Sequence, residues 1–231
     1  MKGIKEHLEK LRKIKREKYH PLIHKIHKKH KISKKTLFYI KEYGPHTNIA
    51  KTIIKESIKI LIFASLLSSF GGLAIESIKN LFVTIIPFII LFPILNDTIG
   101  GYGGIISSRF STMLHENKVK KNWWKNKDIR SLFIEIFIIA IIITSMSVFL
   151  SLIVSYFFNY PIDSLLIFKV FLITILDVIL LIIILFFVSI FAGIYYYKKK
   201  EDPNNFLIPI TTSIADFGNM VILAVLIIIF F

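Results

Sequence analysis

Five long apolar runs occupy most of this 231-residue chain, and each is long enough to cross a lipid bilayer. The hydrocarbon core of a membrane needs about 20 mostly apolar residues in helical form. Runs of this kind form helices because backbone polar groups must bond internally in lipid. The sequence therefore predicts an all-α integral membrane protein with five transmembrane helices, at residues 58–75, 81–95 continued by 105–115, 132–158, 165–196 and 206–231.

Basic residues are concentrated before the first apolar run. Of the 30 Lys and Arg residues, 17 lie in residues 1–56. Residues 118–130 and 198–200 are also basic, whereas the connections at 78–80 and 159–164 are nearly uncharged. Basic loops stay on the cytoplasmic side of a membrane. This pattern predicts a multi-pass protein of the cell membrane with its N-terminus in the cytoplasm and its C-terminus outside.

The charge distribution divides the chain into two predicted domains. Residues 1–55 form a basic cytoplasmic arm with a short helix that stops near Pro21, and residues 56–231 form the five-helix membrane domain. A basic arm favours an anionic membrane surface, and nucleic acid is not expected as a partner. The residues expected to bind that surface are Lys13, Lys15, Arg16, Lys28 and Lys29.

Four histidines in the arm, at 20, 24, 27 and 30, would share one face of a helix. Imidazoles at this spacing suit a transition-metal site. No cysteine or carboxylate completes such a site here, and Pro21 interrupts the helix. The favoured interpretation is a partly protonatable basic arm on lipid headgroups.

The motifs of common enzyme classes are missing from the sequence. There is no nucleotide-binding glycine loop with its lysine, no His-Glu-x-x-His pair and no nucleophile–base arrangement. The chain contains no cysteine, which excludes disulfides and thiolate metal sites. We therefore expect that the protein is not an enzyme.

Acidic residues within the apolar runs are the strongest functional signal. A carboxylate at mid-bilayer costs about 2.5–3.5 kcal/mol, so it normally faces a cavity, a partner or an ion. Asp97, Asp177 and Asp216 are of this kind. Glu135 lies near a predicted helix end, where a pair with Arg109 or Arg130 is the simpler interpretation.

Asp216 follows a proline and three hydroxyl residues in the last run. Thr212, Asp216 and Asn219 lie four and three residues apart, so they share a helix face. Carboxylate and hydroxyl oxygens are ligands for a hard dication such as Mg²⁺. The alternative is a structural Asp216 that pairs with Lys169 or with a neighbouring hydroxyl.

Asp97 precedes a glycine-rich stretch in the second run. Glycine lets the backbone leave helical geometry, which at membrane depth is tolerated beside a cavity. The sequence therefore predicts a broken second helix whose carbonyls, with Asn96, face an ion. The alternative is close helix packing through small residues. The glycines concerned are Gly100, Gly101, Gly103 and Gly104.

Asp177 lies in an otherwise apolar part of the fourth run. It is eight residues from Lys169, which is too far for a simple pair within one helix. Two interpretations remain open: Asp177 lines an ion pathway, or it bonds to another helix.

Two motifs carry a resemblance to a known family. The stretch from Pro93 through Asn96-Asp97 and the glycines to Ser108-Arg109-Phe-Ser-Thr112 resembles the second membrane helix of MgtE-type divalent-cation transporters. The stretch Asp202-Pro203-Asn204, Pro209, Thr211-Thr212, Asp216 and Gly218 resembles the start of that family's fifth helix. The resemblance covers about residues 56–231.

This resemblance implies a Mg²⁺ channel or transporter in which two five-helix units surround a central pore. Asp216 would bind the hydrated ion, and the fifth-helix hydroxyls and the second helix would line the rest of the path. The glycine stretch differs from the family's pattern, which leaves Co²⁺, Mn²⁺ and Ni²⁺ open beside Mg²⁺. The large acidic sensor that precedes the membrane part in bacterial members has no counterpart in the basic arm.

The sequence thus predicts a homodimer, surrounded by membrane lipids, that transports divalent cations through a pore on the dimer axis. The expected metal-binding residues are Asp216, Thr212, Asn96, Asp97 and Asp177, and the expected pore-lining residues are Thr211, Asn219, Gly100, Gly101, Gly103 and Gly104. Two alternatives are a membrane anchor that recruits a partner through its basic arm and a proton- or Na⁺-coupled carrier of another solute.

Overall fold

The computed structural model describes residues 27–29, 49–119, 123–199 and 201–231. In that part of the chain the fold is all-helical, without a strand. Five helices are long and apolar enough to cross a membrane, which confirms the predicted fold class. The helices are α1 (Ile49–Ser77), the short α2 (Lys79–Thr84), α3 (Ile86–His115), α4 (Lys127–Phe157), α5 (Ser164–Lys198) and α6 (Pro203–Phe230), with a 3₁₀ turn at Trp123–Lys125.

Most of the basic arm lies outside the described residues. Residues 27–29 are α-helical, and Lys28 and Lys29 are exposed. The predicted short helix, the surface-binding residues Lys13, Lys15 and Arg16, and three of the four histidines lie outside the described ranges.

Polar side chains at the loops define where the helices begin. Asn126, Asp163 and Asp202 each accept a hydrogen bond from a backbone N–H in the first turn of α4, α5 and α6. These bonds satisfy N–H groups that have no partner within the helix. The sequence therefore contains its own start signals for three of the five spans.

Asparagines define two of the helix ends. Asn117 after α3 and Asn159 after α4 have positive φ, at 60° and 55°. Each lies in a Schellman motif, in which two backbone N–H groups bond back to carbonyls of the last turn. Asparagine tolerates this left-handed backbone better than most residues, so the loops turn sharply at the membrane surface.

The second span begins at Ile86, later than the predicted residue 81. Residues 79–84 form the separate helix α2, and Ile85 interrupts the helical backbone with φ −106° and ψ 82°. Pro87 lies in the first turn of α3, where its missing N–H has no helical partner to lose, so the sequence favours a helix start at this point.

The predicted break at the glycines is a second difference. Helix α3 is continuous through Gly100, Gly101, Gly103 and Gly104, and no described glycine has positive φ. A continuous helix keeps the backbone hydrogen-bonded inside the membrane, which a break would not. The glycines therefore act by removing side-chain volume from α3.

Helix α6 lies at the centre of the bundle. It packs against α1, α3 and α5, while α4 packs against α3 and α5. The core between these helices contains fully buried Phe88, Leu91, Ile99 and Leu181. Helix α1 fits closely on α6 because Gly71 has no side chain: a Cβ atom there would lie 2.7 Å from Met220 Sδ.

Large apolar side chains cover the outer surface of the bundle. Phe63 and Leu73 on α1 and Met146 and Phe149 on α4 are each at least 60% exposed. Contiguous apolar surface of this kind is a liability in water and is normal against lipid. At the basic end, Arg109 Nη1 donates to Glu135 Oε2 at 2.8 Å, which confirms the predicted pair.

Candidate cation-binding groove

An open groove lies between α3 and α6, in the membrane-spanning part of both helices. Its volume is about 730 Å³. It contains two carboxylates and no basic side chain among its lining residues, so its electrostatic potential favours cations. The lining residues are Phe92, Pro93, Asn96, Asp97, Gly100, Gly101, Gly104, Thr212 and Asp216.

Helix α3 supplies one wall through residues that recur at three- and four-residue intervals. Asp97 is exposed and Asn96 is half-buried. At Gly100, Gly101 and Gly104 a Cβ atom would meet nothing within 4 Å. The space of the groove therefore exists partly because these three positions have no side chain.

Helix α6 supplies the other wall through Thr212 and Asp216, which are one helical turn apart. The Asp216 carboxyl is half-buried and accepts a hydrogen bond of 3.4 Å from Ser68 Oγ of α1. Lys169 lies instead over the Phe231 ring, 4.6 Å from its centroid. The bond from Ser68 engages Oδ2 of Asp216, and Oδ1 has no hydrogen bond to another residue in the described part of the chain, so it is available to the groove.

Asn219 lies one turn beyond Asp216 and is fully buried. Its Nδ2 donates to Asn96 Oδ1, which ties the two walls of the groove together. The Asn219 Oδ1 atom has no hydrogen-bond partner among the described residues. Asn219 therefore lies behind the groove wall and supports Asn96.

Thr211 and Gly103 lie in the contact between α3 and α6. A Cβ atom on Gly103 would be 3.1 Å from Thr211 Cβ. Thr211 is fully buried, and its hydroxyl bonds to Leu207 O and to the hydroxyl of Ser107. The structure places these two predicted pore-lining residues in the helix interface, away from the groove surface of the single chain.

Asp177 is the one predicted metal-binding residue that the structure does not bring to the groove. It is fully buried in α5, and neither carboxyl oxygen has a hydrogen-bond partner among the described residues. It is also missing from the groove lining. Asp177 therefore belongs to the interior of the bundle.

The groove suits an ion that keeps most of its water. No group of three or more His, Cys, Asp or Glu side chains able to hold a metal occurs among the described residues. One chain thus offers two carboxylates with hydroxyl and amide oxygens, all of them hard ligands. This set is too sparse to replace a hydration shell, but Mg²⁺ dehydrates reluctantly and usually binds through one or two carboxylates.

Three serines with contacts near the site were not predicted from the sequence. Ser68 on α1 donates to Asp216, whereas Ser107 and Ser189 form a buried hydroxyl cluster with Thr211 in the helix interface. Small hydroxyl residues between large apolar ones could have indicated these positions, since such residues favour helix–helix contacts in membranes. That signal does not tell which hydroxyl meets which helix.

Comparison with known proteins identifies the family of the chain. The family model of MgtE, described as a divalent cation transporter, matches residues 92–226. The matched region includes both walls of the groove. No curated protein and no solved structure gives a significant match to the chain. Because the family model covers more than half of the 231 residues, the chain belongs to the MgtE family of divalent cation transporters.

Proposed function

We propose that this protein passes hydrated Mg²⁺ along the groove between α3 and α6, and that a second copy of the chain completes the path. The observation that carries the proposal is the meeting of Asp97 and Asp216 in one open groove, whose lining includes no basic side chain among the described residues. Carboxylates inside a membrane are expensive unless they serve a pathway or a partner. Family membership independently supports a divalent cation as the cargo.

Asp216 is the main ion-binding acid in this proposal. It is less exposed than Asp97, and charge–charge attraction is stronger where less water surrounds the carboxylate. Thr212 and Asn96 supply further oxygens to the hydration shell of the ion. Mn²⁺ and Co²⁺ accept the same oxygen ligands and are secondary cargo candidates.

The shape of the groove supports a dimer. A pathway for ions must be closed to lipid on all sides, and this groove is open along one side. Most soluble oligomers of one chain use closed symmetry, with a two-fold dimer the commonest. Two grooves that face each other across such an axis would place four carboxylates around one water-filled path.

Transport assays in proteoliposomes test the proposal. The intact chain, Asp216→Ala and Asp216→Asn would be compared with a Mg²⁺-sensitive dye inside the vesicles. We expect both variants to lose flux, because each removes the charge that holds the ion. Glu76→Gln is the matched control: Glu76 is a carboxylate of α1 that lies outside the groove and pairs with Lys79. Near-normal Mg²⁺ flux in a folded Asp216→Ala protein would contradict the proposal.

A membrane anchor that works through its basic arm is the main rival function. Removal of residues 1–50 separates the two, since the groove lies wholly in α3 and α6. A transporter keeps cation flux after this deletion, whereas an anchor loses its activity.

A further inference from the structure

A second pocket lies between α4 and α5, at the end of the bundle that carries the basic loops. Its volume is about 590 Å³, within the usual range of small-molecule sites. It is separate from the cation groove, which lies between α3 and α6. Its lining residues are Trp123, Ile129, Arg130, Phe133, Ile134, Ile183, Phe186 and Phe187.

The walls of this pocket are aromatic and aliphatic. Trp123 packs edge-on against Phe187, with ring centroids 6.3 Å apart, and Phe133 packs against Phe186 at 4.8 Å. Such edge contacts hold the rings in defined positions. The pocket is therefore a shaped apolar surface.

The pocket opens on the outer surface of the bundle. Ile134 is 51% exposed, and Ile183 and Phe187 are 36% and 37% exposed. In a membrane this surface faces lipid, so the pocket is directly accessible to lipid molecules. An acyl chain matches its apolar walls.

Among the described residues that line the pocket, Arg130 is the cationic one. Arg130 is exposed and forms no ion pair with another residue of the described ranges. The nearby Glu135 is already engaged by Arg109 and Ser131. Residues 118–130 contain six Lys and Arg residues and one acid, Asp128. The charge of Arg130 is therefore available to an anion.

We propose that this pocket binds one anionic glycerophospholipid, with its phosphate on Arg130 and an acyl chain against the aromatic wall. A guanidinium binds phosphate oxygens through two parallel hydrogen bonds. Trp123 lies at the basic end of the bundle, and tryptophan is typical of the headgroup region of a membrane. The basic end of a membrane protein faces the cytoplasmic leaflet, where anionic lipids are concentrated.

The bound lipid would act on the bundle without entering the ion path. Helix α4 packs against α3 and α5, whereas the cation groove is formed by α3 and α6. A lipid between α4 and α5 would contact both helices at once. The proposal does not depend on the identity of the transported ion.

Trp123 provides a direct probe for this site. The chain has two tryptophans, 123 and 124, so Trp124→Phe leaves Trp123 as the sole tryptophan, which is excited selectively over the tyrosines. The full-length variant would be placed in phosphatidylcholine nanodiscs that contain increasing fractions of brominated phosphatidylglycerol or brominated phosphatidylcholine. We expect the anionic lipid to reach half-maximal quenching at an about fivefold lower mole fraction, the factor typical of one cationic side chain at an anionic surface.

Two substitutions in this background assign the preference to the pocket. Arg130→Gln is expected to remove the difference between the two brominated lipids, and unchanged quenching by phosphatidylcholine shows that the pocket is intact. Lys198→Gln is the matched control, because Lys198 is an exposed basic residue at the same end of the bundle but outside the pocket. Three outcomes would overturn the proposal. The first is equal quenching by both lipids in the Trp124→Phe protein. The others are a preference for the anionic lipid that survives Arg130→Gln, or a loss of that preference in Lys198→Gln as large as in Arg130→Gln.

Discussion

At the scale of single residues, the acids of the membrane part divide into two groups. Asp97 and Asp216 line the groove, whereas Asp177 is fully buried in the bundle. Polar residues and glycines flank Asp97 and Asp216 in the sequence, whereas Asp177 lies in an apolar run. The direction in which each helix turns its side chains then decides which acids reach the groove.

Asp177→Asn is a residue-scale prediction. The ionised carboxylate costs about 2.5–3.5 kcal/mol in the membrane interior, and this one has no hydrogen-bond partner among the described residues. We therefore expect the amide variant to unfold at the same temperature or a higher one, and to keep its Mg²⁺ flux. Thermal unfolding in detergent and the vesicle assay measure the two effects. Loss of flux in a stable Asp177→Asn protein would instead place Asp177 on the pathway.

At the scale of helices, glycine has two different roles in α3. Gly103 lets α3 approach Thr211 of α6, while Gly100, Gly101 and Gly104 leave space in the groove. The same residue type therefore serves packing on one face of the helix and an open surface on the other. This arrangement explains why α3 needs glycines although its backbone is helical throughout.

Paired alanine substitutions in α3 test these roles. Gly103→Ala places a methyl group 3.1 Å from Thr211 Cβ, and overpacking of this kind costs about 1–3 kcal/mol. Gly101→Ala meets nothing within 4 Å and gains up to about 1 kcal/mol of helix propensity. We expect the unfolding temperature in detergent to fall for Gly103→Ala and to stay level or rise for Gly101→Ala. The reverse order would contradict the packing described for α3 and α6.

At the scale of the whole molecule, the open side of the groove is the feature that a single chain does not close. We propose a two-fold dimer that does so. The sequence contains no cysteine, so a single introduced cysteine reports on one position.

Cysteine cross-linking tests the dimer. Gly101→Cys lies on the exposed surface of the groove, and we expect a bifunctional thiol reagent that spans the water-filled path to give a covalent dimer in membranes, because the two grooves face each other across the axis. Leu150→Cys on the outer surface of α4, which is 54% exposed, is the control and should stay monomeric. Gel electrophoresis without reductant measures both. Efficient cross-linking through residue 150 with none through residue 101 would show that the groove faces lipid.

Much of the architecture could be predicted from local sequence. The number of spans follows from the length of each apolar run, which the bilayer thickness sets. The helix starts follow from Asn126, Asp163 and Asp202, whose side chains cap their own first turns. The pairing of Arg109 with Glu135 was predicted as one of two choices, since both arginines are near the same helix end.

The sequence by itself determined that this chain is a five-helix membrane protein. It also indicated four candidate ion-binding residues, Asn96, Asp97, Thr212 and Asp216. Both conclusions depend on features within one helix, namely apolar length and the spacing of polar residues. Only the tertiary structure decided that these four residues line one groove, that Thr211 and Gly103 pack inside, and that Asp177 lies elsewhere. The physical reason is that the rotation of each helix about its axis is set by close packing against its neighbours, and packing joins residues that are far apart in the chain.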